Sequence, residues 1–288
     1  MEKIKHITDE FKDWILKTLK TGTNPEAIVN AMIKKGFDPI FAYSTLMRIT
    51  NNQSVSTGES GPYVYETPPI IREGNIIKTS DREIKILMKV DKPFVLYLDN
   101  VMSSEECDEL IQMSSNRLVP SRVVDPVTGA EKVVSGRTSS GTYYQIQENP
   151  LIAKLEKRIA EITKIPVENG EGLQVLHYKI GEEYKAHFDY FPQSKIDSKK
   201  GGQRVATLLL YLNDVEAGGE TIFPKIGLSI SPKKGTALYF HYANSSGQVD
   251  RLSLHSSIPV VEGDKWVATK WIREREIEYY QTQPSAGF

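Results

Sequence analysis

The stretch LQVLHYKIGEEYKAHFDYF, residues 173 to 191, decides the fold of this chain. Its first six residues show the period-2 alternation that predicts a strand, and Gly181 marks a turn before a second extended segment. On an extended strand, residues i and i+2 point to the same face. We therefore expect His187 and Asp189 to present an imidazole and a carboxylate to one point. Two such side chains form half of a metal site.

His255 is the candidate third ligand, because alternation in the residues around it again predicts a strand. Two imidazoles and one carboxylate leave coordination positions open, as in non-haem Fe(II) oxygenases, whereas structural zinc is usually closed by a fourth protein ligand. Lys265 follows ten positions after His255. A buried ammonium there would suit the far carboxylate of a chelating dicarboxylic acid, here 2-oxoglutarate.

Four pieces of sequence carry a resemblance to a known family: HYKIGEEYKAHFDYF, GGQRVATLLLYLNDVEAGGETIFP, SPKKGTALYF and LHSSIPVVEGDKWVATKWI. From about Pro93 to Ile272 the chain resembles the catalytic domain of the prolyl 4-hydroxylases, within the 2-oxoglutarate/Fe(II) dioxygenases. A His-x-Asp motif alone arises by chance in many chains, so the resemblance rests on the full set in this order. It implies a double-stranded β-helix, or jelly roll, with helices on one outer face.

The resemblance also implies a role for each candidate residue. Fe(II) would be bound by His187, Asp189 and His255. The C5 carboxylate of 2-oxoglutarate would be held by Lys265, Tyr178 and Thr207, and a peptide substrate would be surrounded by Tyr184, Arg204 and Trp271. Thr207 also suits an ordinary strand, and the two aromatic residues would serve equally well in a core. Family resemblance further implies ascorbate as the reductant that rescues oxidised iron, and a homodimer.

Composition limits the function classes. The chain has 288 residues with 36 basic and 37 acidic side chains, so no global field favours a nucleic acid or a membrane surface. The single cysteine, Cys107, cannot form an internal disulfide, which favours a reducing compartment. The N-terminus lacks an apolar signal region and no run reaches the length of a membrane span. We expect a cytoplasmic protein with no nucleic-acid and no membrane partner.

The pattern predicts three parts. Residues 1–50 are expected to form three short helices, which start at Thr8, at Asn24-Pro25 and at Asp38-Pro39. They loosely resemble a ubiquitin-associated-like module, and either a partner-binding role or a structural or dimerisation role fits them. Residues 51–74 are rich in Ser, Gly, Asn and Pro and are interpreted as a linker. Residues 75–288 are expected to form the dioxygenase domain, mainly β with flanking helices, whose many short strands and glycine turns indicate a jelly roll.

This domain is expected to begin with strands at residues 75–78, 84–90 and 94–98. Ser103 with Glu106 resembles a capping box, which predicts a helix after it. Asn149-Pro150 is expected to start a second helix.

The function predicted from these observations is peptidyl-prolyl 4-hydroxylation with O2 and 2-oxoglutarate, releasing succinate and CO2. The same chemistry on lysyl residues or on a free amino acid stays open. Nucleic-acid demethylases of the superfamily typically hold the dicarboxylate with an arginine, so Lys265 disfavours them. A second alternative is a non-catalytic binding module that uses the N-terminal helices, and the intact set of metal ligands with Lys265 disfavours that alternative.

Overall fold

The computed structural model describes residues 4–21, 23, 25–38, 41–42, 45–46, 49, 62–70, 74–121, 123–124, 131–132 and 136–278. The chain divides into two compact units, Met1–Gly61 with Ile222–Ser229, and Pro62–Thr221 with Ile230–Phe288. Within these ranges, every helix is too short or too polar to cross a bilayer.

Helices and strands are numbered in chain order over the described ranges. The helices are α1 Asp9–Lys20, α2 Pro25–Lys34, α3 Ser104–Ser115 and α4 Pro150–Thr163. The strands are β1 Ile76–Lys78, β2 Glu83–Val90, β3 Phe94–Asp99, β4 Val119–Pro120, β5 Val123–Val124, β6 Glu131–Lys132, β7 Ser140–Tyr144, β8 Leu173–Tyr178, β9 Tyr184–His187, β10 Arg204–Tyr211, β11 Ala217–Gly218, β12 Thr221–Phe223, β13 Leu228–Ile230, β14 Ala237–His241, β15 His255–Ser257, β16 Val260–Glu262 and β17 Lys265–Arg273. The strands predicted near residues 75–78, 84–90 and 94–98 are confirmed as β1, β2 and β3.

Nine strands form the main sheet in the order β1-β2-β3-β14-β10-β17-β8-β7-β4. Strand β17 runs antiparallel between β10 and β8 and is buried at every position except its last. A strand that is covered on both faces is usually apolar along its length. The two buried lysines of β17, Lys265 and Lys270, are therefore unusual. The register places Lys265 opposite Tyr178 of β8 and Trp271 opposite Thr207 of β10. Four predicted site residues are thereby placed in two cross-strand pairs.

A smaller sheet has the order β13-β12-β15-β9. Its β9 and β15 strands run antiparallel with His255 opposite His187, and the pairing shifts between His255 and Ser257. Directly opposed residues of an antiparallel pair lie about 4.5–5.5 Å apart. Two residues far apart in the chain are therefore brought side by side by the strand register.

Helices α3 and α4 begin at the predicted caps. Ser103 and Glu106 form the reciprocal hydrogen bonds of a capping box at the start of α3, which satisfy two of the free backbone donors of that helix end. Asn149 caps α4 and Pro150 occupies its first turn. The apolar side of α4 packs into the same core as the main sheet, together with Leu96, Leu98, Val175, Leu208 and Leu210.

The N-terminal unit contains the first two predicted helices. Thr8 caps α1 by accepting from the backbone N–H of Phe11, and Gly36 adopts φ +90° after the end of α2. A separate apolar core joins the helices, formed by Ile15, Ile28, Val29, Met32, Phe37, Ala42, Leu46 and Ile49. The third predicted helix, which opens at Asp38-Pro39, lies largely outside the described residues, as does the first half of the predicted linker.

Residues 62–70, the described part of the predicted linker, belong to the larger unit. Ile70 is 1% exposed and lies in the main core. The backbone N–H of Val64 donates to the side-chain oxygen of Gln248 at 3.0 Å. Sequence composition did not indicate these contacts, because a Pro- and Tyr-containing stretch gives no periodic signal.

Candidate active site

The three predicted metal ligands come from the paired strands of the smaller sheet. His187 ends β9, Asp189 follows two positions later, and His255 begins β15 opposite His187. One ligand atom from each side chain lies within 4.8 Å of the other two, and the described residues contain no second cluster of this kind. The two side chains predicted to share one face lie close together, although β9 ends at His187 and Asp189 lies in the bend that follows it.

Backbone carbonyls set the tautomer of both imidazoles. The Nδ1 atom of His187 lies 2.7 Å from the carbonyl oxygen of Lys185, and that of His255 lies 2.9 Å from the carbonyl oxygen of Ser253. Each Nδ1–H therefore donates to a carbonyl, and each Nε2 keeps a lone pair directed toward Asp189. This arrangement is the one that a metal-binding histidine uses.

The Asp189 carboxylate lies between the two imidazoles. Its oxygens are 3.4 Å from Nε2 of His187 and 3.7 Å from Nε2 of His255. Burial by itself would raise the pKa of the Asp189 carboxyl, but the neighbouring His255, His187 and an arginine outweigh burial and hold this pKa well below its usual range. Burial and repulsion from His187 lower the pKa of His255 to about 4. At neutral pH the cluster therefore offers one anion and a neutral His255.

The cluster fits Fe(II) on its donor chemistry. Two imidazole nitrogens and one carboxylate oxygen, within 4.8 Å of one another, suit a divalent metal that needs open positions for further ligands. The ring of Tyr184 stacks on His187 at 3.6 Å between centroids and shields this side from water.

Lys265 lies in the same cavity at the start of β17. Its ammonium is 1% exposed and donates to the carbonyl oxygen of Gly219 at 2.6 Å and to the hydroxyl of Ser257 at 2.8 Å. An ammonium has three donors, so one remains for a ligand. Burial lowers the pKa of Lys265 to about 7, against the raising effect of Glu220. A carboxylate bound beside Nζ would restore the charged form.

One cavity of about 460 Å³, its open mouth included, contains the metal cluster and Lys265. Its wall includes apolar Leu176, Leu209 and Val267, with polar groups converging at a few points. Pockets with apolar walls and few polar groups are the usual form of small-molecule sites. The metal cluster and Lys265 thus line the same cavity, as the binding of one small dicarboxylic acid by both requires.

Comparison with known proteins gives the family. Residues 173–273 match the 2OG-Fe(II) oxygenase superfamily. Prolyl 4-hydroxylase 5 of Arabidopsis thaliana is 43% identical over 206 residues, which cover 65% of this chain and 70% of the relative. This chain belongs to the prolyl 4-hydroxylase family. Probable prolyl 4-hydroxylase 3 of the same plant is 41% identical over 224 residues, 71% of this chain and 77% of that protein.

A solved member of the prolyl 4-hydroxylases supports the fold. The viral collagen prolyl hydroxylase from Paramecium Bursaria Chlorella virus-1, determined as a 2OG complex, superposes with a TM-score of 0.51 at 31% identity, covering 62% of this chain and 95% of the viral chain. The predicted double-stranded β-helix is confirmed. The protein is a 2-oxoglutarate- and Fe(II)-dependent dioxygenase, as predicted.

Among the 2-oxoglutarate residues predicted for this prolyl 4-hydroxylase, Tyr178 lies beside Lys265, and Thr207 has a different contact. The Lys265 ammonium is 5.4 Å from the Tyr178 ring centroid, and burial raises the pKa of the Tyr178 hydroxyl to about 12. Thr207 instead donates its hydroxyl to Asp189 at 2.6 Å and lies 3.0 Å from the Tyr242 hydroxyl. In this structure Thr207 fixes the Asp189 carboxylate, and Ser257 is the hydroxyl bound to Lys265. The predicted contact of Thr207 with 2-oxoglutarate stays a prediction.

Of the three predicted substrate residues, Tyr184 and Trp271 line the cavity. Arg204 makes a bidentate ion pair with Glu171 at 2.7 and 2.8 Å. Its guanidinium lies 3.9 Å above the Trp271 ring and donates to the backbone carbonyl of Asp189 at 3.3 Å. Arg204 therefore supports the back of Trp271 and the loop that carries Asp189.

Two wall residues were not assigned a role from the sequence. Arg137 is 6% exposed, stacks 4.7 Å from the Tyr184 ring centroid and donates to Gln174 at 2.9 Å. No spacing rule links Arg137 to Gln174, since their contact depends on the β7–β8 pairing and on a bridge between Arg137 and Tyr184.

Proposed function

We propose that this protein is a peptidyl-prolyl 4-hydroxylase, which inserts one oxygen atom of O2 at C4 of a proline residue in a peptide or protein. The other oxygen atom enters 2-oxoglutarate, which leaves as succinate and CO2. The observation that carries the proposal is the 43% identity to a named prolyl 4-hydroxylase over most of the catalytic domain. The cavity that joins the metal cluster to Lys265 supports it.

The residues of the cavity take separate roles in this proposal. His187, Asp189 and His255 would hold Fe(II), which when bound supplies the activation of O2 and the oxidising power for breaking a C–H bond. The protein itself orients and shields. The Nδ1–H bonds to backbone carbonyls fix the two imidazoles, and Thr207 holds one oxygen of Asp189.

The other polar centre would bind the C5 carboxylate of 2-oxoglutarate. Lys265 supplies the charge, its ammonium donates to the Ser257 hydroxyl, and the Tyr178 ring centroid lies 5.4 Å from it. Because the pocket is buried, a hydrogen bond between opposite charges is stronger there than in water. This contact selects a dicarboxylic keto acid over one with an apolar end.

The mouth of the cavity suits a proline-rich peptide. Tyr184 and Trp271 provide aromatic walls, which match the extended, preorganised conformation of such peptides. The Trp271 indole N–H and the Nε–H of Arg137 are both buried, and neither has a hydrogen-bond partner in the described part of the chain. Buried donors seek acceptors, and the carbonyl groups of a bound peptide would supply them.

The test is product identification by mass spectrometry with Fe(II), 2-oxoglutarate and synthetic proline-rich peptides. We expect a gain of one oxygen on proline, matched by equimolar succinate. Free proline, free lysine and lysine-containing peptides without proline serve as competing substrates. If a competing substrate gains oxygen and no proline-rich peptide does, the peptidyl-proline assignment is wrong while the dioxygenase assignment stands. Amino-acid analysis of the product, with 3- and 4-hydroxyproline standards, checks the position.

Three accompanying proposals await separate measurements. Ascorbate is proposed to sustain turnover, which a time course with and without it measures. A homodimer is proposed on family resemblance, and sedimentation velocity measures it. Cytoplasmic location is proposed from the single cysteine, and fractionation of the native cell tests it.

A further inference from the structure

The Asp264 side chain connects the start of β17 to β8 and to the end of β10, immediately before Lys265. Nε2 of His177 lies 2.7 Å from Oδ2 of Asp264, and the indole N–H of Trp266 donates to the same oxygen at 2.9 Å. The side-chain amide of Asn213 donates to the Asp264 backbone carbonyl at 2.8 Å and to Oδ1 at 3.3 Å. We call Asp264, His177, Trp266 and Asn213 the β17 clamp.

Two further contacts complete the β17 clamp. The rings of His177 and Trp266 stack with their centroids 4.2 Å apart and their planes 22° from parallel. The backbone N–H of Trp266 donates to the side-chain oxygen of Asn213 at 2.7 Å. Asn213 thus uses both ends of its amide on β17. Because the His177 side chain is only 13% exposed, water competes little for its contact with Asp264.

The β17 clamp lies on the face of the sheet that points away from the cavity. Alternate residues of β17 line the cavity, beginning with Lys265 and Val267, while Trp266 between them lies in the main core. The same alternation in β8 places Tyr178 in the cavity and turns His177 away from it. The clamp residues therefore act on the position of the backbone that carries Lys265 and Tyr178.

Lys265 stands where the backbone pairing of the sheet ends. The pairing of β17 with β8 begins at Lys265 opposite Tyr178, and its pairing with β10 reaches only Val267. Gly263, two residues earlier, has φ +78° and belongs to a turn. Ends of elements open locally at a lower free-energy cost than their middles. Side-chain hydrogen bonds of the β17 clamp thus continue the connection to the neighbouring strands at the position of the lysine.

We propose that Asp264 is a positioning residue for 2-oxoglutarate, which fixes the first residue of β17 so that the Lys265 ammonium is already in place for the C5 carboxylate. The inference rests on the proposed role of Lys265 as the anchor of that carboxylate. A site that is fixed before its ligand arrives loses less free energy to ordering when the ligand binds. The described contacts of the clamp do not reach a metal ligand, so metal affinity should not depend on it.

The experiment is isothermal titration of 2-oxoglutarate into the Mn²⁺-loaded full chain, at one pH and 25 °C. Asp264→Ala removes the carboxylate of the clamp, whereas His177→Phe keeps a stacking ring and the Asp264 charge and loses only the contact between the two. The matched control is Asp108→Ala, which removes an exposed carboxylate paired with Lys234 at 2.6 Å on α3. Exposed pairs of this kind contribute little.

The expected shifts correspond to the net contribution of about one hydrogen bond. The Kd of 2-oxoglutarate should rise about three- to tenfold in Asp264→Ala and about two- to fivefold in His177→Phe, and less than about 1.5-fold in Asp108→Ala. The Kd of Mn²⁺, measured by electron paramagnetic resonance of the free ion, should stay at the wild-type value in all three variants. Circular dichroism verifies folding. If Asp264→Ala does not fold, His177→Phe decides alone.

A second ligand separates positioning from general loosening. 2-Oxopentanoate has no C5 carboxylate for Lys265, so its Kd should be the same in wild type and in the two clamp variants. The inference is overturned if both acids lose affinity equally, or if both clamp variants bind 2-oxoglutarate as wild type does. A rise of the Kd in Asp264→Ala with none in His177→Phe would also overturn it, because the charge of Asp264 alone would then explain the effect.

Lys265→Met tests the proposed function separately. If this variant binds 2-oxoglutarate as well as wild type does, the anchoring role fails, whatever the clamp variants show. If Lys265→Met binds weakly while both clamp variants bind normally, the anchor stands and the positioning role of Asp264 falls. Asp264→Ala should add little to Lys265→Met, since residues that act through one another are not additive. Full additivity of the two changes would contradict the inference.

Discussion

Replacing Lys265 with methionine removes the ammonium from the cavity and keeps a side chain of similar length. In the protein without ligand this ammonium already donates to the carbonyl of Gly219 and to the hydroxyl of Ser257. One of its three donors is left for 2-oxoglutarate. The variant therefore loses a single charge-assisted hydrogen bond together with the attraction of a buried opposite charge.

The magnitude follows from that count. Hydrogen bonds to charged groups contribute about 1.5–3 kcal/mol, and loss of one partner of a buried charge pair costs about 2–5 kcal/mol or more. Since only one donor is involved and the Ser257 hydroxyl remains, we take the lower part of these ranges, about 2–3 kcal/mol. At about 1.4 kcal/mol per decade, the Kd of 2-oxoglutarate should rise about 30- to 150-fold.

The assay is isothermal titration of 2-oxoglutarate into the Mn²⁺-loaded protein, with Mn²⁺ affinity measured independently in each variant. A ligand cycle isolates the contact, using 2-oxopentanoate, which lacks the C5 carboxylate. Wild type should discriminate strongly between the two acids, and Lys265→Met should hardly discriminate. The control is Glu156→Gln with Lys270→Met, which removes the other buried lysine of β17 and its partner. If the Kd of 2-oxoglutarate for Lys265→Met stays within threefold of the wild-type Kd, the anchoring role of Lys265 is refuted.

Three further predictions follow from the same contacts. Thr207→Val deletes the hydroxyl bonded to Asp189 and should weaken Mn²⁺ binding about tenfold, as measured by titration; an unchanged Kd would show that this hydrogen bond is dispensable. Because the pKa of Lys265 without ligand is about 7, its charge is present below pH 7 and is lost above it. The Kd of 2-oxoglutarate should therefore rise by up to tenfold per unit above pH 7 at saturating Mn²⁺, and a flat profile from pH 7 to 8.5 would contradict this. Lys270→Met alone leaves Glu156, which is 1% exposed, as an unpaired buried charge and should lower the free energy of unfolding in urea by about 3–5 kcal/mol; a loss below 1 kcal/mol would contradict that cost.

Much of the site was predictable because it depends on strand periodicity. His187 and Asp189 are two positions apart, and the period-2 rule alone places them on one face. Alternation made His255 a candidate and the family resemblance supported it, but its position opposite His187 depends on the register of two residues 68 positions apart in the chain. Caps with local signatures, such as Ser103 and Asn149, were also found, because their partners lie within three residues.

Partners of long-range polar contacts were not predictable. Thr207 was predicted to contact 2-oxoglutarate, and in the structure its hydroxyl is bonded to Asp189. The sequence of a strand does not specify which polar side chain lies across a cavity from it. Arg204 was assigned to the substrate, while the structure pairs it with Glu171 on a preceding loop. Residues 63–66 were interpreted as part of a linker, because the hydrogen bonds described for them use backbone groups of Val64 and a single side chain, Glu66. Such contacts leave no period in the sequence.

The opposition of His187 and His255 has a consequence for folding. A slip of one residue between two strands turns a side chain to the other face, so only the native alignment brings both imidazoles to the same ion. A divalent cation bound by both imidazoles would therefore stabilise the native alignment of β9 and β15 relative to the slipped one. At a free concentration one hundred times its Kd, such an ion would add about 2.7 kcal/mol to the folded state. Iron supply would then govern how long the native chain persists as well as how fast it turns over.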